Sequence, residues 1–200
     1  MNNRLGILIS GRGSNFIAIA DSIAAGHLDA EIAVVISNRE SAAGLEVARA
    51  RGLNAVCIPS KGMDRSAYDG LLLEELRKND VHVVCLAGFL RLLSAQFVSA
   101  FPERILNIHP SLLPAFPGLD AQHQALAYGA KVTGCTVHFV DEHLDNGPIV
   151  MQSAVPVLDD DTDESLSARI LTEEHRIYTE AIRLILSGKY RIAGRRVITA

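Results

Sequence analysis

The sequence lacks tryptophan and has only three cysteines, too few and too scattered for a disulfide framework. Cys57, Cys85 and Cys135 each lie in an apolar segment, which is typical of reduced, buried thiols in a cytoplasmic protein. None of them has a second cysteine at CxxC spacing. The sequence therefore predicts a cytoplasmic protein with neither a disulfide nor a cysteine-based metal site.

Basic residues and long apolar runs are also scarce. Lys and Arg number 19 against 23 Asp and Glu, which gives a formal charge of −4 and a pI near 6.0. Without a basic block or a row of aromatic residues, a nucleic-acid partner is not expected. No apolar run approaches the ~18 residues of a membrane span, and the short run after Arg4 fits a first strand and not a signal peptide. A membrane partner is not expected either.

Apolar runs alternate with amphipathic segments in the first half of the chain. Strands are predicted at Arg4–Ser10, Glu31–Ser37, Asn54–Ile58, Val81–Leu86 and Arg104–Ile108, and helices at Phe16–Ala25, Ala42–Arg51, Asp64–Asn79 and Ser94–Phe101. The 200 residues are 48% hydrophobic, enough for the core of one domain. This order predicts an α/β fold with a single-domain, doubly wound and mostly parallel sheet, whose ligands bind at the carboxyl ends of strands.

The second half has a different pattern. Thr133–Val140 alternates between apolar and polar residues, and Ile149–Val155 is a possible partner of similar length. These two segments predict an antiparallel hairpin extension of the sheet. Helices are predicted at Asp120–Gly129 and Asp163–Ser187, and the last residues, with Arg195 and Arg196, are interpreted as a short surface extension.

A glycine cluster, Gly11–Asn15, separates the first strand from the first helix. Backbone N–H groups at such a helix start bind phosphate, and Ser14 or Asn15 can cap the helix. A plain tight turn with a capping residue explains the cluster equally well. Phe16 stands where a dinucleotide site needs a third glycine, Asn38 stands where it needs an acid, and no GK[ST] follows. A mononucleotide or sugar phosphate therefore fits better than NAD.

The motif NIHPSLLPAFPG carries polar side chains at the end of the fifth strand. Asn107 and His109 stand two residues apart, so their side chains project from the same side of the strand. Pro110, Pro114, Pro117 and Gly118 follow and predict a stiff loop, here called the proline loop. Asp145, in the connection DEHLDNGP, belongs with this pair, although a turn residue would explain it as well.

Neither a metal nor a serine nucleophile is supported around His109. The histidine has no HxxxH, HxH or cysteine partner, and Ser111 lies in a proline loop without the GxSxG elbow. His138 and His143 are interpreted as a strand histidine and a solvated loop histidine. Acid–base and electrostatic catalysis by Asn107, His109 and Asp145 is the remaining interpretation, because a carboxylate favours a charged imidazole that can donate to an oxyanion. Such chemistry suits acyl transfer to a nucleophile that the substrate brings.

Other polar and apolar residues leave two interpretations open. Glu174 falls on the apolar stripe of the last helix between Ile170 and Ile177, where a carboxylate needs either a structural partner or a ligand. Arg65 is either a solvated charge or a ligand contact. The run Leu90–Leu93 is either a core element or the lining of an apolar ligand slot.

Five motifs give a resemblance that covers essentially the whole chain. They are GRGSN, LAGFLRLLS, NIHPSLLPAFPG, GCTVHFVDEHLDNGPIV and ARILTEEHRIY. In this order they resemble the folate-dependent formyltransferases, and among these the branch that acts on glycinamide ribonucleotide. The resemblance implies one Rossmann-like domain over residues 1–200, with a ribonucleotide phosphate-binding half at 1–100 and a catalytic and folate-binding half at 101–200. It implies transfer of the formyl group of 10-formyltetrahydrofolate to the amine of glycinamide ribonucleotide in de novo purine biosynthesis, without a metal or NAD.

The resemblance also assigns roles to residues. Its implied catalytic residues are Asn107, His109 and Asp145, and its implied ribonucleotide contacts are Gly13, Ser14, Asn15 and Glu174. Its implied folate contacts are Arg65, Leu90, Arg91, Leu92, Leu93, Asn107, Val140 and Asp141, with the Val140–Asp145 loop closing on the pterin. Relatives commonly carry histidines after PGL where this chain has Asp120, Ala121 and Gln122, which puts a second loop histidine in doubt. Monomer and homodimer both stay open.

Three alternatives compete with the transferase. A formyl-folate hydrolase shares the core, but in that family a regulatory domain precedes it. Methionyl-tRNA formyltransferase needs a C-terminal tRNA-binding domain and a basic surface, which a charge of −4 does not suggest. A non-catalytic nucleotide-binding module would keep the glycine loop but has no need for Asn107, His109 and Asp145 together.

Overall fold

The structure is a computed structural model that describes residues 3–199. It divides into two compact units, the first ending at Leu106 and the second beginning at Asn107. The first unit contains strands β1 (Arg4–Ile9), β2 (Glu31–Ser37), β3 (Ala55–Cys57) and β4 (Val83–Leu86), and helices α1 (Ser14–Ala24), α2 (Ala43–Ala50), α3 (Arg65–Lys78) and α4 (Ala95–Ala100). The second holds most of β5 (Ile105–His109), then α5 (Ala121–Tyr128), β6 (Val132–Phe139), β7 (Ile149–Pro156), α6 (Asp163–Ser187), β8 (Tyr190–Ala193) and β9 (Arg196–Thr199).

The strands of the first unit are parallel and lie in the order β3-β2-β1-β4. Their side chains are apolar on both faces, and Ile7, Leu8 and Val35 are fully buried. A parallel sheet that helices cover on both faces has strands that are buried on both sides, as these strands are. The predicted parallel, helix-alternating half of the fold is confirmed.

Gly13 decides how α1 begins. Its φ of 72° lies in the left-handed region, and a Cβ there would come within 3.3 Å of the Phe16 ring. Because Gly13 takes the N-cap position, the helix begins at Ser14 and no side chain caps it. The prediction that Ser14 or Asn15 caps this helix is therefore wrong, since both residues lie in its first turn.

In the second unit the strand order is β5-β6-β7-β9-β8. β6 and β7 pair antiparallel from Val132↔Pro156 to His138↔Ile149, which confirms the predicted hairpin extension. The predicted surface extension is wrong in kind, because β8 and β9 form an antiparallel hairpin of their own. β9 also pairs with β7, parallel, at Ile149↔Arg196.

Helix α6 is fixed by its first turn and by its buried stripe. The Thr162 hydroxyl accepts from the Ser165 amide, and the Ser165 hydroxyl accepts from the Thr162 amide, so a complete capping box closes the helix start. Asp163 and Glu164 follow in the first turn, where negative charge is favourable. Ile170 and Ile177 are fully buried on the predicted stripe.

Within residues 3–199, no helix combines the length and the apolar character needed to cross a bilayer.

Candidate active site

The second unit brings His109 and Asp145 together. His109 ends β5 and Asp145 lies in the connection between β6 and β7. Their side chains are only 5% and 10% exposed, and His109 Nδ1 lies 3.4 Å from Asp145 Oδ2. Because little solvent lies between them, the carboxylate and the imidazole interact directly.

Main-chain groups of the proline loop hold both side chains. His109 Nε2 lies 2.9 Å from the Phe116 carbonyl oxygen, and since a carbonyl only accepts, Nε2 carries a proton. The Gly118 amide donates to Asp145 Oδ2 at 2.8 Å. The first contact fixes the imidazole with Nδ1 facing the carboxylate, and the second fixes the carboxylate itself.

Two residues of the cluster have a left-handed backbone although they are not glycines. Phe116 has a φ of 52° and Asp145 a φ of 47°. Non-glycine residues in this region cost on the order of 1–3 kcal/mol and concentrate at functional sites. The strain thus falls on the residue whose carbonyl holds His109 and on the aspartate itself.

His138 joins the cluster, and the sequence reasoning missed it. Its Nδ1 donates to the Phe139 carbonyl at 2.8 Å, so Nε2 of the neutral ring is an acceptor, and the Asn107 amide nitrogen donates to it at 3.1 Å. Burial lowers the pKa of His138, against a smaller opposing effect of Asp145, whose Oδ1 lies 3.8 Å from Nε2. The available signal was its strand face, because His138 shares a face with the polar Thr136 and lies opposite the apolar Cys135, Val137 and Phe139.

The proline loop is anchored to β6 and β7. The Thr136 hydroxyl donates to the Ser111 carbonyl at 2.7 Å and accepts from the Leu113 amide at 3.0 Å. The Gln152 side chain donates to the Leu113 carbonyl at 3.0 Å, and the Ser111 hydroxyl donates to the Ala115 carbonyl. Side-chain hydrogen bonds therefore hold the loop that presents Phe116 and Gly118.

The loop that carries Asp145 is organised by Asp141. One carboxylate oxygen of Asp141 accepts from the His143 amide at 2.9 Å, and the other accepts from the Asn146 side chain at 2.8 Å. A Cβ on Gly147 would lie 1.8 Å from the Phe139 carbonyl oxygen, so only glycine fits where the loop passes the end of β6 before entering β7. His143 is exposed, as the sequence suggested.

Glu174 is buried on α6 with 7% of its surface exposed. Burial, and after it the charge of Glu174, raises the pKa of the Cys135 thiol to about 12. The thiol is therefore protonated at neutral pH. The ribonucleotide contact assigned to Glu174 stays a prediction.

The first unit holds the predicted phosphate loop. The first hydrogen bond within α1 runs from the Ile17 amide to the Gly13 carbonyl at 2.9 Å. The N–H groups before it point out of the helix start, where anions bind. The Gly44 amide donates to the Gly11 carbonyl at 3.1 Å and fixes the loop from α2.

The segment predicted to contact folate also lies in the first unit. Leu90 and Leu92 are 54% and 46% exposed, whereas Leu93 is buried at 6%. The Arg91 guanidinium lies 4.7 Å from the centre of the Tyr68 ring, a cation–π contact. Arg65 is exposed at the first residue of α3.

No group of three or more His, Cys, Asp and Glu side chains in the described part of the chain has a geometry that could hold a metal ion.

The known proteins to which this chain is similar are formyltransferases and purine biosynthetic proteins. A family model described as formyl transferase matches residues 3–182. The chain is 42% identical to phosphoribosylglycinamide formyltransferase of Escherichia coli (strain K12), over 93% of this chain and 88% of that protein. It is 45% identical to the trifunctional purine biosynthetic protein adenosine-3 of Drosophila melanogaster, over 92% of this chain but only 14% of that protein.

Among solved structures, the chain is similar to glycinamide ribonucleotide transformylase 1 from Symbiobacterium toebii. The TM-score is 0.96 at 55% identity, with 98% of this chain and 93% of that chain covered. This likeness confirms the predicted α/β fold class, with its mostly parallel sheet and antiparallel C-terminal strand pair.

Proposed function

The chain belongs to the formyl transferase family, and from this membership we propose that it transfers the formyl group of 10-formyltetrahydrofolate to the amine of N1-(5-phospho-D-ribosyl)glycinamide. The products are formylglycinamide ribonucleotide and tetrahydrofolate, in de novo purine (IMP) biosynthesis. The observation that carries the proposal is the buried His109–Asp145 pair with His109 Nε2 held at the Phe116 carbonyl. It suits acyl transfer because it presents a proton donor beside a fixed negative charge.

In the proposed mechanism the substrate amine attacks the formyl carbon and the carbonyl oxygen becomes an oxyanion. An oxyanion accepts a hydrogen bond more strongly than a neutral carbonyl does. The His109 Nε2–H group therefore changes its acceptor from the Phe116 carbonyl to the oxyanion. Asn107, whose amide is oriented by His138, supplies a second donor. Asp145 stabilises the imidazolium and assists the transfer of the amine proton, through water, to the folate nitrogen as its bond to the formyl carbon breaks.

Binding of the two substrates is assigned to the predicted contacts. Gly13, Ser14 and Asn15 hold the ribonucleotide phosphate, a role that the start of α1 supports through its N–H groups. Glu174 contacts the ribonucleotide. The folate contacts are Arg65, Leu90, Arg91, Leu92, Leu93, Asn107, Val140 and Asp141, and the exposed Leu90 and Leu92 support an apolar contact.

The test is an absorbance assay of the folate product, run with and without glycinamide ribonucleotide. Product that forms only with the amine supports the transferase. Product at the same rate without the amine identifies a formyl-folate hydrolase instead, and binding of the folate without any product leaves a non-catalytic module.

A cytoplasmic location is proposed with the same function, supported by the free thiols of Cys57, Cys85 and Cys135. Monomer or homodimer stays a prediction.

A further inference from the structure

The hairpin of β8 and β9, here called the C-terminal hairpin, contacts both ends of the loop that carries Asp145. This loop, the Asp141–Pro148 loop, connects β6 to β7. The Tyr190 ring in β8 packs on the Phe139 ring at the end of β6, with 5.9 Å between ring centres. β9 pairs with the first residue of β7 at Ile149↔Arg196.

Arg195 adds a direct contact to the loop itself. Its guanidinium donates a hydrogen bond to the main-chain carbonyl of Asn146, the residue after Asp145. The acceptor is a backbone atom, so the contact fixes the path of the loop and not one of its side chains. Arg195 lies in the tight turn between β8 and β9. The next residue, Arg196, begins β9 and pairs with Ile149 of β7, which holds the turn beside the loop.

The loop needs such support at its second half. Asp141 organises the loop from within through His143 and Asn146, but Asp145 stands in the left-handed region at a φ of 47°. A strained residue keeps its conformation only where surrounding contacts determine it. The Gly118 amide fixes the Asp145 carboxylate, and Arg195 fixes the backbone one residue on.

We propose that Arg195 of the C-terminal hairpin is a positioning residue for Asp145, acting through the Asn146 carbonyl. The inference rests on the proposed function, and it extends the functional part of the chain past residue 182, where the family match ends. Arg195 touches no reacting atom; it keeps the Asp145 carboxylate at its distance from His109.

The experiment compares Arg195→Ala, Arg195→Lys and the control Arg196→Ala. Arg196 is the adjacent arginine and is exposed like Arg195, so its removal reproduces the loss of charge without the loss of the Asn146 contact. Two readouts are taken on folded protein: steady-state kinetics with both substrates, and hydrogen exchange of the amides of residues 141–147. Thermal unfolding verifies that each variant is folded.

Arg195→Ala is expected to lower kcat roughly tenfold, since misplacement by an ångström can cost about 10²-fold. The KM for glycinamide ribonucleotide should change less than about twofold, because its proposed phosphate contacts lie in the first unit. Exchange at residues 141–147 should accelerate, Arg195→Lys should restore most of both values, and Arg196→Ala should match the wild type.

The proposal is overturned if Arg195→Ala keeps the wild-type kcat, or if kcat falls while exchange at residues 141–147 stays unchanged. It is equally overturned if Arg196→Ala reproduces the effect. A wild-type protein that makes no product from either substrate combination refutes the proposed function instead, and the exchange comparison still shows whether Arg195 holds the loop.

Discussion

Both ring nitrogens of His109 face protein groups, one a main-chain carbonyl and the other a carboxylate. Replacing His109 or Asp145 by alanine should lower kcat by about 10²-fold or more, the usual cost of losing an acid–base group or an oxyanion donor. Steady-state kinetics measures this, with His123→Ala as the control because His123 is an exposed histidine of α5 outside the proposed contacts. The double variant should lose little more than either single one, since the pair acts as a unit. Full activity in either single variant would refute the assignment.

His138 predicts a pH dependence of stability. Burial lowers its pKa below the ordinary 6.5, so as the pH falls through 6.5 the unfolded chain takes up a proton before the folded one does. The free energy of unfolding should therefore fall below pH 6.5. In His138→Gln this slope should be smaller, by at most about 1.4 kcal/mol per pH unit.

Urea unfolding between pH 7 and pH 5 measures the difference, with His143→Gln as the matched control. His82, whose pKa is also lowered by burial, contributes equally to all variants and cancels in the comparison. Parallel curves for the wild type and His138→Gln would contradict the prediction.

At the scale of single residues, the sequence identifies the side chains of the candidate site but not the backbone groups that hold them. Asn107, His109 and Asp145 were recognisable because the residue type alone identifies an amide, imidazole or carboxylate side chain. The Phe116 carbonyl and the Gly118 amide are present in every residue, and only the path of the loop selects them. His138 looked like an ordinary strand residue, because its partner Asn107 is 31 positions away in the chain.

Helix α6 provides a prediction for a whole element. Thr162→Ala removes the hydroxyl that accepts from the Ser165 amide and should lower the free energy of unfolding by about 1 kcal/mol, whereas Thr162→Ser keeps that hydroxyl and should stay near the wild type. Urea unfolding midpoints at unchanged slope measure both variants. Equal midpoints for Thr162→Ala and the wild type would show that the capping box contributes nothing.

Elements with a clear period were predictable from the sequence, and short exposed ones were not. β6, β7 and α6 have continuous alternation or a long apolar stripe, and their predicted bounds agree with the structure within a residue or two. β8 and β9 have four residues each, all of them exposed or half-buried, so their pattern resembles a surface tail. The start of α1 was misplaced because the φ of Gly13 cannot be known from the sequence.

For the whole molecule, the thiols give a test of the packed state. Cys85 and Cys135 are buried, and Cys57 is half-buried with a pKa raised by burial. At pH 8 the native protein should react with Ellman's reagent slowly and at Cys57 alone, because the thiolate is the reactive form. The native reaction should vanish in Cys57→Ser, and unfolding in guanidinium should release all three thiols of the wild type. Fast reaction of two or more thiols in the native protein would contradict the described burial.

The main-chain contacts at Phe116 and Gly118 have a consequence for how this protein can be dissected. An alanine scan changes neither a carbonyl nor an amide, so it would miss these two groups that hold His109 and Asp145. Chemical synthesis reaches them: an ester in place of the amide between Pro117 and Gly118 deletes one N–H and leaves every side chain intact. The same reasoning implies that a substitution at position 116 keeps the contact with His109 as long as it keeps the backbone conformation, because every residue has this carbonyl.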